Sequence, residues 1–245
     1  QRKNPSDDVV LSVKNLTREG VCYDINFDLK YGEILGIAGL VGAGRTEIMR
    51  CIFGLDKKDT GTIMIEGKEC NIKSPKDAID LGIGFVTEDR KMEGLVLSLS
   101  VGKNITMSIL ERLSKFNFIN DKKAVDLAKE YIERLSIRTP SHKQIVENLS
   151  GGNQQKVVIA KWLLTQPKVL ILDEPTRGID VGAKNEIYRL MNQLSERGIG
   201  IIMISSELPE ILRMSDRILV IKEGRITASF DSSECSQERI MKHAL

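Results

Sequence analysis

The 245-residue sequence lacks paired cysteines. Cys22, Cys51, Cys70 and Cys235 are scattered, with no CxxC spacing. That argues against a zinc site or a disulfide framework and suits a reducing compartment, with the thiols as core or incidental groups. Charge of one sign is also lacking. The chain has 36 basic and 34 acidic residues, a formal net charge of +2, and no basic stripe stands out. Nucleic acid is therefore not the expected partner. No apolar run approaches the length of a membrane span. A signal peptide, an internal repeat and a low-complexity tract are all missing. The first residue is Gln1 rather than Met, as expected of a piece excised from a longer chain.

What remains is ordinary for a soluble globular protein: 41% hydrophobic and 29% charged residues, in a length that holds one large domain or two small ones. Residues 1–8 are polar, contain Pro5 and read as a linker. Val9 to Val13 and Tyr23 to Leu29 alternate loosely, as antiparallel strands do. Glu33 to Ala38 is a short buried-strand run ending in a glycine cluster, Gly39-Leu40-Val41-Gly42-Ala43-Gly44-Arg45-Thr46, and a helical stretch follows to Phe53. Strand, glycine loop and helix fit the phosphate-binding pattern G-x-x-x-x-G-K-[ST] at every position but one. Glycines let backbone N–H groups wrap a phosphate, and the Thr46 hydroxyl is placed for Mg²⁺. Arg45 stands where lysine is expected, and a forked guanidinium is wider than a compact ammonium.

Further strands are expected at Thr62 to Ile65 and at Gly82 to Val86, the latter ending at Thr87-Glu88-Asp89-Arg90; Ser74-Pro75 opens a short helix. Composition then shifts. Residues 91–165 lack strand signals and read mainly as helix, with Ala124, Leu127, Ala128, Tyr131, Ile132 and Leu135 on one face. Near the end of this segment lies Leu149-Ser150-Gly151-Gly152-Asn153-Gln154-Gln155-Lys156, a glycine turn opening an apolar helix. Bare N–H groups at such a helix mouth favour an anion. Lys168 to Leu172 is a continuous apolar run, suited to a central parallel strand, and it ends in Asp173-Glu174. Carboxylates at that end lie where open α/β sheets place ligands. Asp173 is the candidate Mg²⁺ holder and Glu174 the group that orients or deprotonates water. A turn through Pro175 and Gly178 reaches Asp180, followed by an amphipathic helix. Gly200 to Ile204 and Arg217 to Ile221 are the last strands, and 229–245 read as a charged surface tail.

In this order the motifs resemble the nucleotide-binding domain of ABC transporters, over almost the whole length. Leu149 to Gln154 is similar to the family's signature loop, Asp173-Glu174 to its Walker B end, and Asp180 to the aspartate that crosses to a partner domain. The set Gly39 to Glu47, Thr87 to Arg90, Gly152 to Lys156, Thr176 to Ala183 and Ser205-Ser206-Glu207 resembles the second cassette of monosaccharide importers of the ribose, galactose and xylose type. The resemblance implies an α/β P-loop NTPase fold: a RecA-like parallel core with a small antiparallel sheet over about 9–90 and 166–228, and a helical subdomain over about 91–165. It implies ATP and Mg²⁺, with Gly39, Gly42, Ala43, Gly44, Arg45 and Thr46 around the phosphates. Thr46, Asp173 and Glu88 would serve the metal, and Glu174, Glu88 and Ser206 the chemistry. Ser150, Gly151, Gly152 and Asp180 would be lent to a facing cassette. It also implies transmembrane permease subunits, a sugar-binding protein reached indirectly, and a peripheral place on the cytoplasmic face of the membrane.

Against the family pattern, Arg45 replaces lysine, Glu88 replaces the γ-phosphate-sensing glutamine, and Ser206 falls where the switch histidine is usual; His142 and His243 follow the wrong segments. Tyr23 is the one candidate for stacking on adenine. Three readings follow: an import ATPase with an attenuated site of its own, a non-hydrolysing module that only completes its partner's site, and a cassette acting on ribosomes or DNA, which the charge balance disfavours.

Overall fold

The computed structural model describes residues 5–115 and 118–245. The first four residues of the expected linker, and 116–117 of the expected helical stretch, lie outside the described residues. The chain divides into two compact units. One comprises the chain up to Phe85 with Lys168–Glu174 and Met191–Leu245, the other Val86–Pro167 with Pro175–Leu190.

The first unit contains two sheets. An antiparallel sheet of four strands runs in the order Cys22–Lys30, Val9–Arg18, Thr60–Ile65, Lys68–Cys70. The second sheet has the order Arg225–Asp231, Arg217–Lys222, Ile34–Gly39, Gly200–Ile204, Val169–Asp173, Ile83–Val86. In its centre Ile202 lies opposite both Leu35 and Ile171 in parallel register. Those strands are buried on both faces, and their unbroken apolar runs follow from that: a half-exposed strand would alternate. Because Ile204 pairs with both Ile37 and Asp173, the glycine turn, Glu174 and Ser205-Ser206 all emerge at one sheet edge. This is the carboxyl edge, where parallel sheets collect ligands.

Two local expectations change. Part of the expected linker is tied down, since Ser6 N–H donates to the Tyr31 carbonyl and Tyr31 N–H to that of Asp8. The expected surface tail at 229–245 continues the strand Arg225–Asp231 and then forms the helix Gln237–Ala244. Ile240 and Ala244, one turn apart, are buried with Ala38, Ile211, Ile218 and Val220. The five ionic or polar residues of that helix hid the two-residue stripe. The helix Leu208–Met214, with Pro209 in its first turn, has no counterpart among the expected elements.

The second unit is mostly helical: Val101–Thr106, Leu110–Leu113, Asp121–Arg134 and Gly151–Leu163. An antiparallel pair of two-residue strands, Ser114–Lys115 and Phe118–Ile119, departs from the strand-free expectation. Asn120 caps Asp121–Arg134, whose Ala128 and Tyr131 turn inward. Residues 175–190, expected with the parallel core, group with this unit. The bonds that hold them are local to it: Arg90 donates to the carbonyls of Arg177 and Gly178, and Lys156 pairs with Glu186. No helix among the described residues is long and apolar enough to cross a membrane.

Candidate functional site

In the first unit the site is built on glycine geometry. A Cβ on Gly39 would stand 2.4 Å from the Ile221 carbonyl oxygen, so no larger residue fits where the strand ends. Gly42 and Gly44 take φ of 80° and 96°, conformations open to glycine and strained for others. Ala43 N–H closes the turn on the Leu40 carbonyl, leaving Val41 exposed at its tip. Gly44 then caps the helix Arg45–Ile52 without any side chain bonding its first N–H groups. Uncapped donors at the positive end of a helix form an anion-binding mouth.

Beside this mouth the Thr46 hydroxyl donates to Asp173 Oδ2 at 2.6 Å. Asp173 is buried, and desolvation pushes its carboxyl up to about 6 from 3.8, with the Thr46 bond and the Arg45 charge opposing and Glu174 adding to the rise. Burial also raises Glu174; the Ser206 hydroxyl, which donates to Glu174 Oε2 at 3.2 Å, and the Arg45 charge offset part of it. Glu174 has φ of 46°, a left-handed conformation that costs a non-glycine residue about 1 kcal/mol. Strain of this kind persists where the surroundings over-determine it: its N–H is held by the Ile204 carbonyl. Arg45 is buried, and its Nη1 donates to the Ser205 carbonyl oxygen at 2.9 Å. The guanidinium is therefore engaged by backbone at the end of the neighbouring strand. Tyr23 N–H donates to the Gly224 carbonyl; its ring lies 4.7 Å under the Arg225 guanidinium.

The remaining predicted residues belong to the second unit. Ser150 stands at the N-cap of Gly151–Leu163 but makes no side-chain cap. Ser150, Gly152 and Asp180 line one pocket of about 200 Å³ with Arg138, Asn153 and Glu186. Asp180 Oδ1 accepts Ala183 N–H at 2.9 Å, capping the next helix. Gly152 is required by packing, since its Cβ would meet that of Ala183 at 2.5 Å. A Cβ on Gly151 would meet Arg90 Nη2 at 2.7 Å. Glu88 is ion-paired with Arg177.

Several residues here carried no readable signal. Arg90, whose guanidinium holds the 177–178 turn at 2.7 and 3.2 Å, lies in the Thr87–Arg90 segment, where the family resemblance gives it no role. Ser205 offers Arg45 only its backbone oxygen, which any residue type supplies. Arg138 and Glu186 meet at 3.1 Å from 48 positions apart, a distance no local pattern encodes.

The ABC transporter family model matches residues 22–177. The chain is 55% identical over 240 residues to a putative ribose/galactose/methyl galactoside import ATP-binding protein 1 of Rhizobium etli, covering 98% of this chain and 46% of that protein. It is 57% identical over 235 residues to the ribose import ATP-binding protein RbsA of Oceanobacillus iheyensis, covering 96% and 47%. The chain thus spans about half the length of the curated relatives it matches. Among solved structures, an ATP-binding cassette of an ABC transporter in its ADP conformation superposes with a TM-score of 0.82 at 22% identity, over 96% of this chain and 98% of the other. CbiO1 of Clostridium perfringens gives 0.79 at 26%, over 96% and 93%. With a family match over most of its length, and a parallel sheet whose carboxyl edge carries the glycine turn, Thr46 and Asp173, the chain is an ATP-binding domain of the ABC transporter family.

Proposed function

We propose that this domain is one of two cassettes in a subunit that couples ATP hydrolysis to import of a monosaccharide. The observation that carries the reading is the bond between Thr46 and Asp173 beside an uncapped helix mouth, with Glu174 next in the chain. The relatives' names supply the sugar class, and the half-length coverage is consistent with a tandem arrangement. The phosphates of ATP would lie in the Gly39–Thr46 turn, with Gly42, Ala43, Gly44 and Arg45 around them. One hydroxyl and one carboxylate suit a hard cation that keeps waters and phosphate oxygens as its other ligands. Mg²⁺, when bound there by Thr46 and Asp173, would neutralise phosphate charge; Glu88 is the further group proposed to serve the metal.

Glu174, its proton affinity raised by burial, is suited to orient and deprotonate water at neutral pH. Ser206 holds its carboxylate. Ser150 and the Gly151-Gly152 amides would be lent to the ATP of the second cassette, with Asp180 crossing at the same contact. Permease subunits at the cytoplasmic face of the membrane, and through them a sugar-binding protein, are the partners of this reading.

Arg45 favours a second element: the domain's own site is attenuated. Its guanidinium already bonds the Ser205 carbonyl, so its reach to terminal phosphates competes with an existing contact. The extreme form is a module that never hydrolyses. Steady-state ATPase and sugar uptake of the reconstituted importer test both. Glu174→Gln should leave most uptake, whereas Ser150→Arg and Gly152→Asp should abolish it. If Glu174→Gln is as damaging as the signature substitutions, attenuation is wrong; if no signature substitution affects turnover, the cassette assignment of Ser150 is wrong.

A further inference from the structure

The Ser150 hydroxyl does not do what an N-cap serine usually does. An N-cap serine commonly accepts the N–H of the third helical residue. Here the Ser150 side chain makes no such bond. Its oxygen instead accepts a hydrogen bond from Asn153 Nδ2 at 2.9 Å. The orientation of that amide is settled by its other end. Arg138 N–H, which can only donate, reaches Asn153 Oδ1 at 2.8 Å. The carbonyl end must therefore face Arg138, and the NH₂ end must face Ser150.

Two consequences follow from donor and acceptor counting. With a lone pair of the Ser150 oxygen engaged by an N–H, the hydroxyl proton is left to point elsewhere, toward the pocket that both residues line. With Ser150 turned away from capping, the first N–H groups of Gly151–Leu163 keep no side-chain partner. A neutral hydroxyl that donates and a row of bare amides are what an anionic oxygen requires.

We infer that Asn153 is a positioning residue: held by the Arg138 backbone, it fixes the polarity of the Ser150 hydroxyl so that the hydroxyl donates outward to a phosphate oxygen. The inference rests on the reading of Ser150 as a donor to the partner cassette's ATP.

Asn153→Asp is the sharpest variant. It keeps the acceptor for Arg138 N–H and replaces the Nδ2 donor by an acceptor oxygen, so the Ser150 hydroxyl turns inward. Asn153→Ala removes both bonds. Each is measured alone and combined with Ser150→Ala in the assembled importer, with kcat, KM for ATP and thermal stability recorded. Asn153→Asp should lower kcat at least tenfold with KM within about twofold and an unchanged melting temperature. Asn153→Ala should lower kcat in the same sense. In the Ser150→Ala background Asn153→Ala should have little further effect, because the group it orients is gone. The charge contribution of Asn153→Asp is whatever remains in that background. Effects that multiply with Ser150→Ala would overturn the positioning role while leaving the Ser150 reading intact. A Ser150→Ala importer with wild-type kcat would sink both.

Discussion

Thr46 and Asp173, 127 positions apart, share a 2.6 Å hydrogen bond at the edge of the parallel sheet. The bond satisfies one oxygen of a carboxylate that is almost wholly buried, and it does not repay the loss of water. Burial keeps the Asp173 proton on up to about pH 6, against 3.8 ordinarily.

The sign of the stability effect follows. Between about pH 4 and 6 the folded chain holds a proton that the unfolded chain releases. Stability therefore falls as pH rises through that window, by roughly 3 kcal/mol if fully expressed. Asp173→Asn keeps an acceptor for Thr46 and removes the ionisation. Its melting temperature should exceed wild type at pH 7.5 by roughly 5 °C or more, with the gap closing toward pH 4, while Mg²⁺-dependent nucleotide binding is lost. Thermal melts across pH and nucleotide titration check this; equal melting temperatures at pH 7.5 would refute it.

Arg45 acts on both carboxylates through its charge, lowering the proton affinity of Asp173 and Glu174. Arg45→Met removes that charge and leaves the two pKa values higher. Whatever turnover the site supports should then lose its acid limb at higher pH, so the ratio of activity at pH 6 to that at pH 8 falls. Arg45→Lys keeps the charge and should leave the ratio close to wild type. A pH–rate profile of the three proteins decides the matter, and an unmoved limb in Arg45→Met counts against the electrostatic role.

Gly152 offers a test of packing in which two effects have opposite signs. Glycine to alanine inside an exposed helix normally stabilises by about 1 kcal/mol. Here the added Cβ would stand 2.5 Å from the Cβ of Ala183, and overpacking of that kind costs about 1–3 kcal/mol. Gly152→Ala should be destabilised, and Ala183→Gly should restore it in the double variant. Denaturant midpoints of the three proteins measure this. Stabilisation by Gly152→Ala alone would show that the helix start yields.

The sequence was most legible where chemistry needs local spacing. The turn from Gly39 to Thr46, the Asp173-Glu174 pair at the end of an apolar run and the glycines after Ser150 all appear where the backbone requires them. The parallel strands were legible because burial on both faces leaves no polar positions. What escaped depends on long-range pairing. Arg45's bond to the Ser205 carbonyl, Arg90's grip on residues 177–178, and the assignment of 175–190 to the helical unit rest on contacts between distant segments. The final helix escaped for a different reason, because Ile240 and Ala244 are a stripe only two residues wide within a charged stretch.

Lys156 carries the last prediction. Its ammonium is buried and meets Glu186 Oε2 at 2.6 Å and the Ser136 carbonyl at 3.0 Å. Glu186 also receives Arg138 Nη2 at 3.1 Å, so the carboxylate ties the signature helix to the next one. The Lys156 bond and charge hold the Glu186 carboxyl below its ordinary 4.5. A lowered carboxyl gives stability that is present above the ordinary value and is lost as pH falls through the folded one. Glu186→Gln keeps the shape and removes the charge, leaving a buried ammonium with only neutral acceptors, which should cost about 1–3 kcal/mol at pH 7.5. The deficit should shrink on acidification, as wild type loses the same charge. Lys156→Met in the Glu186→Gln background should recover most of it, because removing both members of a buried pair is far less damaging than removing one. Urea midpoints at pH 7.5 and 4 for the single and double variants provide the test. A deficit in Glu186→Gln that is independent of pH, or a double variant weaker than either single one, would mean that shape rather than charge joins the two helices.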